Sequence, residues 1–252
     1  MPKIEGAGSS DKGRRARNED AHRVMPEIGF FVVADGMGGY EGGAVASLVT
    51  VETLADFYAR NACDRDLTWP FVVDPELDLP RNQALCGMRL AHDAVRARKR
   101  GPLAQMGSTV AAIAFHGERA VIAHAGDSRA YRLRARTLTQ LTRDHSFVEE
   151  IAARGDGISP ADRARIAAQF GHVITRAIGI GGDIEPGLSL VDVRAGDVFL
   201  LCTDGVHGVL DDEELAETLA LFAPRDAADI LVQRAIEAGS SDNVTAVVAR
   251  AT

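Results

Sequence analysis

The chain has 252 residues, of which 46% are hydrophobic and 25% are charged, and this composition excludes an intrinsically disordered protein. A chain of this length can bury one substantial core, so we expect a single domain over 1–252. The formal net charge is −8 and the densest basic run, Arg96–Arg100, is short, which argues against a nucleic-acid-binding protein.

Cysteine usage and hydropathy predict a cytoplasmic protein. The three cysteines lack the paired spacing of a metal site, which favours reduced thiols. Residues 1–15 lack the apolar segment of a signal peptide. Because no apolar run approaches the roughly 20 residues that span a bilayer, we expect no membrane contact.

The first half of the chain contains short apolar runs and two helical patterns. The run Phe30–Ala34 is continuously apolar, which is typical of a strand buried on both faces. Apolar residues at helical spacing predict helices at Ala44–Tyr58 and Asn82–Arg98. The three prolines of Asp66–Pro80 predict a loop between them. Weaker strand patterns follow at Val110–Phe115, Ala120–His124 and Ala130–Leu133.

The segment Asp144–Thr175 differs from the rest of the chain. Ser146 with Glu149, and Ser159-Pro160 with Asp162, are N-cap signals for two short helices separated by glycines. This pattern predicts a mobile excursion on the surface.

The last third of the chain contains two strands and a pair of helices. The strands are predicted at Val198–Cys202 and Val244–Ala249, and the helices at Asp211–Phe222 and Arg225–Ala238, with Gly239 as a C-terminal cap. Because strands follow strands and helices come in pairs, the pattern favours the α+β class over regular βαβ alternation.

Four aspartates stand at the ends of predicted strands. Rigid elements that place acids at a rim can build an oxygen-rich site for Mg²⁺ or Mn²⁺. Gly36 strengthens this interpretation, since its carbonyl can approach a metal closely. The alternative is that each Asp is a turn or cap residue, and spacing alone does not show that the four converge. The aspartates are Asp35, Asp127, Asp204 and Asp242.

Eight ordered segments resemble the bacterial type 2C protein phosphatases, the PPM family. The resemblance covers nearly the whole chain, and the main exception is 60–80, which looks like an insertion. The segments are RARNED (Arg15–Asp20), VADGMGG (Val33–Gly39), GST (Gly107–Thr109), GDSRAY (Gly126–Tyr131), LTRDHS (Leu141–Ser146), VITRAIG (Val173–Gly179), TDG (Thr203–Gly205) and SDNVT (Ser241–Thr245).

The resemblance implies a four-layer α-β-β-α sandwich, with two central antiparallel sheets flanked by helix pairs. It implies that Asp35 bridges two Mn²⁺ or Mg²⁺ ions, that Asp204 and Asp242 ligate one ion, and that the Gly36 carbonyl ligates the other. Glu19 would act through a bound water. Further implied are a third, weaker ion held by Asp127 with Asp204, and a flap over 144–175 beside the active site.

The implied activity is hydrolysis of phosphoserine and phosphothreonine in proteins. Two nearby cations lower the pKa of a bridging water, and the resulting hydroxide attacks phosphorus without a covalent intermediate. Arg15 matches the position that binds the phosphate, and a guanidinium suits two phosphate oxygens. For Arg14 and Arg17 we favour no role. Asn243 is expected to orient its loop or neighbouring ligands, and the alternative is an Asx-turn. No histidine lies in the VADGMGG loop, so no general acid is assigned.

Two other functions stay open from the sequence. One is a catalytically weak relative that serves as a regulatory binding module, although every acid of the motif pattern is present. The other is a two-metal phosphatase that acts on small phosphate esters. The expected partners are phosphorylated proteins, including a Ser/Thr protein kinase and its substrates.

Overall fold

The computed structural model describes residues 2–39, 41–64, 68–154, 165–166, 169–170 and 173–252. The strands in these residues are β1 Ile4–Asp11, β2 Asp20–Met25, β3 Phe30–Met37, β4 Gly107–Ser108, β5 Val110–His116, β6 Arg119–Ala125, β7 Arg129–Arg134, β8 Thr137–Gln140, β9 Gly187–Asp192, β10 Val198–Cys202 and β11 Val244–Ala251. The helices are α1 Gly42–Cys63, α2 Leu79–Arg96, α3 Phe147–Arg154, α4 Asp204–His207, α5 Asp212–Leu221 and α6 Pro224–Glu237, with a 3₁₀ turn at Gly101–Leu103.

The strands form two antiparallel sheets. One sheet has the order β1-β11-β10-β7-β8 and the other the order β2-β3-β5-β6-β9, with the short β4 added to β3. Helices α1 and α2 pack on the second sheet, and α5 and α6 pack on the first. The predicted α-β-β-α sandwich is confirmed.

Alternate residues of the central strands enter different cores. In β3, Phe30 and Val32 face α1 and α2, whereas Phe31 and Val33 face the other sheet. In β11, Val248 packs toward α6 and Val247 packs between the sheets. Because both faces of these strands are buried, their sequences are continuously apolar.

The predicted helices and their capping residues are confirmed, with boundaries shifted by a few residues. Asp211 caps α5 and forms a reciprocal capping box with Glu214. Gly239 follows α6 with a φ of 96°, the left-handed conformation of a C-terminal glycine. Ser146 accepts a hydrogen bond from the Glu149 amide at the start of α3. The predicted second short helix, at Ser159, lies outside the described residues.

The antiparallel registers bring the chemically distinctive segments to one end of the sandwich. Antiparallel neighbours place the end of one strand beside the start of the next. Asp11 at the end of β1 is opposite Val244 at the start of β11, and Asp20 at the start of β2 is opposite Asp35 near the end of β3. Cys202, which precedes Thr203 and Asp204, is opposite the first residue of β7.

Among the described residues, no helix is both long enough and apolar enough to cross a membrane.

Candidate metal centre

Asp35 occupies the centre of the acidic end. Its backbone is held firmly, since its amide donates to Thr109 Oγ1 at 3.1 Å and its carbonyl accepts from the Thr109 amide at 2.8 Å and from Ser108 Oγ at 3.0 Å. Burial raises the pKa of the Asp35 carboxyl well above its ordinary value. The charges of neighbouring acids raise this pKa further, those of Asp20, Asp204, Asp242 and Asp127. The four aspartates predicted from strand ends therefore do converge.

Close backbone packing brings Asp204 and Asp242 together. Asp204 begins α4 directly after β10, and Asp242 precedes β11. A Cβ on Gly205 would collide with the Asn243 carbonyl oxygen, so this contact requires glycine. Burial, followed by the charges of Asp127, Asp242 and Asp20, raises the pKa of Asp204 to about 7.

Asp20 is an acid of this cluster that the sequence analysis did not single out. Its Oδ2 accepts from Thr245 Oγ1 at 2.6 Å and from Thr203 Oγ1 at 2.9 Å. Burial raises its pKa to about 6. It follows Glu19 in the RARNED segment, and an alignment of β2 against β3 would have placed it opposite Asp35.

Glu19 and Gly36 meet beside α1. A Cβ built on Gly43 would collide with Glu19 Oε2 and lie 2.7 Å from the Gly36 carbonyl oxygen, so both oxygens point into the same small space. A Cβ on Gly36 would in turn collide with the Gly43 carbonyl oxygen. Glycine is thus needed at both positions for the two backbones to pack this closely. The Glu19 carboxylate and the Gly36 carbonyl then lie side by side.

The three arginines of the β1–β2 loop have different orientations. Arg15 Nη2 donates to Asp242 Oδ2 at 2.7 Å, and its Nε donates to the Ser241 carbonyl at 3.1 Å. The Arg14 guanidinium lies against Gly239, at the C-terminal end of α6. Arg17 forms an ion pair with Glu41 at 2.6 Å.

Asn243 ties the β1–β2 loop to β11. Its Nδ2 donates to the Lys12 carbonyl at 2.9 Å and to the Arg17 carbonyl at 2.8 Å, and its Oδ1 accepts from the Glu19 amide at 2.8 Å. The buried amide therefore holds the β1–β2 loop on both sides of Arg15.

Asp127 lies in the turn between β6 and β7. Its carbonyl oxygen is 3.0 Å from His207 Nε2, and burial raises the pKa of its carboxyl. The following residue, Ser128, is 2.7 Å from Thr109 Oγ1, which also contacts Asp35. The turn that contains Asp127 and the end of β3 that contains Asp35 are therefore linked through the hydroxyl groups of Ser128 and Thr109.

A cavity of about 630 Å³ opens between these segments. Its walls are the β1–β2 loop with Arg15 and Arg17, the end of β3, and Asp242 with Asn243. None of the histidines that the structure describes lines this cavity, and Met37 occupies the wall beside Gly36. A cleft of about 700 Å³ at the opposite, N-terminal end of β1 is larger but lacks a comparable group of acids in its described lining.

The oxygen-only donor set fits a hard divalent cation. Asp20 Oδ1 and Asp204 Oδ1 are buried, and neither has a hydrogen-bond partner within the described part of the chain. Such oxygens carry a desolvation cost that a cation would offset. Within the same residues, no three acidic, histidine or cysteine side chains are already arranged to hold a metal ion. Mg²⁺ needs only one or two carboxylates because it retains several waters.

The start of the predicted flap is attached close to Asp127. Asp144 receives a bidentate hydrogen bond from Arg129, with distances of 2.9 Å and 2.7 Å, and the His145 amide donates to the Gly126 carbonyl at 2.9 Å. Ser146 pairs with Ile174 across the two ends of the segment. Much of the predicted flap, at 155–164, 167–168 and 171–172, lies outside the described residues.

Comparisons with known proteins find a matching family model, similar relatives and similar solved structures. The family model described as Protein phosphatase 2C matches residues 7–238. The serine/threonine protein phosphatase PstP of Mycobacterium tuberculosis is 35% identical in an alignment that covers 96% of this chain and 44% of PstP, so the chain spans less than half of that relative. The serine/threonine phosphatase stp of Listeria welshimeri is 31% identical over 95% of this chain and 92% of its own length. A crystal structure of the PstP catalytic domain in complex with two manganese ions has 35% sequence identity and a TM-score of 0.79, and the match covers 98% of this chain and 97% of that one.

Proposed function

Because the chain belongs to the protein phosphatase 2C family, we propose that it hydrolyses phosphoserine and phosphothreonine in proteins, with Mn²⁺ or Mg²⁺ as cofactor. The observation that carries this proposal is the convergence of Asp35, Asp204 and Asp242 in one acidic cluster, of which Asp35 and Asp242 line an open cavity beside Arg15. The two manganese ions of the PstP catalytic domain support it.

The proposed ligands are acids of the cluster and the Gly36 carbonyl, and of these Glu19, Asp35, Gly36 and Asp242 line the cavity. The charges of Asp20, Asp204, Asp242 and Asp127 all raise the pKa of Asp35, which is proposed to bridge two ions. Asp204 and Asp242 would hold one of them, and the Gly36 carbonyl the other, with Glu19 acting through a water. Asp127, whose charge is the largest acidic influence on Asp204, would hold a third ion together with that residue.

Bound divalent ions would lower the pKa of a water for direct attack on phosphorus and offset charge on the phosphate oxygens. The protein's own residues bind and orient the substrate. The Arg15 fork is proposed to bind the phosphate, for which it must leave Asp242. Asn243 holds the backbone on both sides of Arg15 and limits its freedom.

Several finer points belong to the same proposal. The chain would form a single catalytic domain with 144–175 as its flap, and the protein would act in signalling in the cytoplasm. Its partners would be phosphorylated proteins, including a Ser/Thr protein kinase and the substrates of that kinase. The relatives from Mycobacterium tuberculosis and Listeria welshimeri, which are named as serine/threonine phosphatases, support the substrate class.

The direct test is phosphate release from a phosphothreonine peptide with added Mn²⁺, with chelator, and with neither. We expect turnover only with the metal. A nucleoside monophosphate and a small aryl phosphate serve as comparison substrates. Turnover confined to the small esters would favour the small-ester phosphatase, and metal binding without any turnover would favour the regulatory module.

Substitution of Arg15 is expected to separate phosphate binding from metal binding. Arg15→Ala should raise KM for a phosphopeptide roughly tenfold or more, since hydrogen bonds to charged groups contribute about 1.5–3 kcal/mol. The same change should leave Mn²⁺ affinity equal or higher, because Asp242 loses its 2.7 Å partner. Steady-state kinetics and calorimetric Mn²⁺ titration measure the two effects. An unchanged KM would contradict the role of Arg15.

A further inference from the structure

The loop between β1 and β2 is strongly basic in an acidic protein. Residues 12–17 contain four cations, whereas the whole chain has a formal net charge of −8. This loop forms one wall of the acidic cavity. Its cations are Lys12, Arg14, Arg15 and Arg17.

Only one arginine of this loop both lines the cavity and is turned away from the acidic cluster. Arg15 is paired with Asp242, and the Arg14 guanidinium lies against Gly239. Arg17 lines the cavity, and 60% of its side chain is exposed. This position predicts that Arg17 contacts the part of a ligand that extends out of the cavity, rather than the part that is bound at the acidic cluster.

The backbone at Arg17 is held in place on both sides. Its carbonyl accepts from Asn243 Nδ2 at 2.8 Å, and the next side chain, Asn18 Nδ2, donates to Ser10 Oγ at 2.8 Å. Asn18 Oδ1 also accepts from the Asp20 amide at 3.1 Å. A guanidinium on a fixed backbone loses less entropy on binding than one on a free loop.

In the absence of substrate, Arg17 is paired with Glu41. Arg17 Nη1 donates to Glu41 Oε1 at 2.6 Å, and Glu41 is 69% exposed. Glu41 precedes α1 as its N-cap residue, yet its side chain makes no capping hydrogen bond. An exposed pair of this kind contributes little net stability, so another carboxylate can replace Glu41.

We infer that Arg17 recognises an acidic side chain close to the phosphorylated residue of a protein substrate, and that Glu41 competes for Arg17 when no such side chain is bound. This inference rests on the proposed function and specifies its substrate class. A guanidinium matches a carboxylate through two parallel hydrogen bonds, whereas a neutral or basic flanking residue offers it no partner.

The test uses three phosphothreonine peptides that differ only in the flanking residues, which are Asp, Ala or Lys. The enzymes are the wild type, Arg17→Gln, Glu41→Gln and Arg225→Gln, each with Mn²⁺. Arg225 is the control because it forms a similarly exposed pair with Asp229 at 3.7 Å, at the end of α6 opposite Gly239. The readout is the ratio of kcat/KM for the Asp peptide to kcat/KM for the Ala peptide.

For the wild type we expect a ratio of roughly three at low salt, the size that one exposed ion pair gives. Arg17→Gln should bring the ratio to about one, Glu41→Gln should raise it above the wild-type value, and Arg225→Gln should not change it. At high ionic strength the wild-type ratio should fall, because exposed pairs are screened.

A wild-type ratio that persists in Arg17→Gln would overturn the inference, as would a Glu41→Gln variant that shifts the ratio in the same direction as Arg17→Gln. Failure of the proposed function has a different signature. In that case the wild type with Mn²⁺ would release phosphate from none of the three peptides, whereas equal turnover of the Asp, Ala and Lys peptides would remove only the role of Arg17.

Discussion

Replacement of Asp35 by Asn is expected to abolish turnover while making the metal-free protein more stable. The amide cannot serve as an anionic bridge, so kcat/KM should fall roughly a thousandfold or more, equivalent to about 4 kcal/mol of transition-state stabilisation. The carboxyl is buried beside other acids, and its raised pKa shows that its charged form is unfavourable there. Removal of that charge should therefore raise the Tm of the metal-free protein, by about 2–4 °C for each kcal/mol gained in the free energy of unfolding.

The opposite directions of the two effects make this prediction specific. A substitution that merely damaged the fold would lower both activity and Tm. Asp229→Asn is the matched control, because Asp229 is 56% exposed on α6 and should affect neither quantity. Phosphopeptide turnover with Mn²⁺ and thermal unfolding in chelator measure the two effects. Wild-type turnover by Asp35→Asn would show that the metal assignment is wrong.

Mn²⁺ is expected to stabilise the protein strongly at pH 8 and little at pH 5. The folded-state pKa values of Asp20 and Asp204 are raised to about 6 and about 7, and that of Asp35 is raised as well, mainly by burial. The folded metal-free protein then binds more protons than the unfolded chain between pH 4 and pH 7, so its stability falls as pH rises through this window. Cations bind the deprotonated acids and reverse this loss.

The expected size follows from ligand linkage. At a free Mn²⁺ concentration of about 100 times Kd, the gain at pH 8 is about 2.7 kcal/mol, or roughly 5–11 °C in Tm. Thermal melts at pH 5, 6.5 and 8, with Mn²⁺ or with chelator, measure it. The Asp35→Asn variant should show a smaller gain at pH 8. An increment that is the same at all three pH values would contradict the linkage between these acids and the metal.

The central strands could be predicted because their buried apolar side chains are consecutive in the sequence. Phe30–Ala34 and Val198–Cys202 have apolar side chains on both faces, one packed against helices and the other between the sheets. The same pattern placed an acid at the end of each strand, and the order of those acids carried the family resemblance. For these elements, local sequence and tertiary environment agree.

The strand β1 was missed because its pairing does not depend on apolar side chains. Its sequence, IEGAGSSD, is rich in Gly and Ser, yet its register with β11 is continuous from Ile4 opposite Ala251 to Asp11 opposite Val244. Gly6 and Gly8 are needed because a Cβ at either position would collide with a side chain of the other sheet, Phe31 or His22. Small residues that permit such close packing look like a loop in the sequence.

The sequence by itself determined the fold class, the family and the four aspartates at strand ends, because strand periodicity, caps and ordered motifs are local properties of the chain. The tertiary structure alone decided which side chains meet. It placed Asp20 opposite Asp35, and it gave Arg14, Arg15 and Arg17 separate environments although they are near neighbours in sequence. The reason is physical: burial, charge repulsion and ion pairing depend on residues that are distant in the sequence. The separation is 24 positions in the Arg17–Glu41 pair and 227 in the Arg15–Asp242 pair, and no local pattern records such contacts.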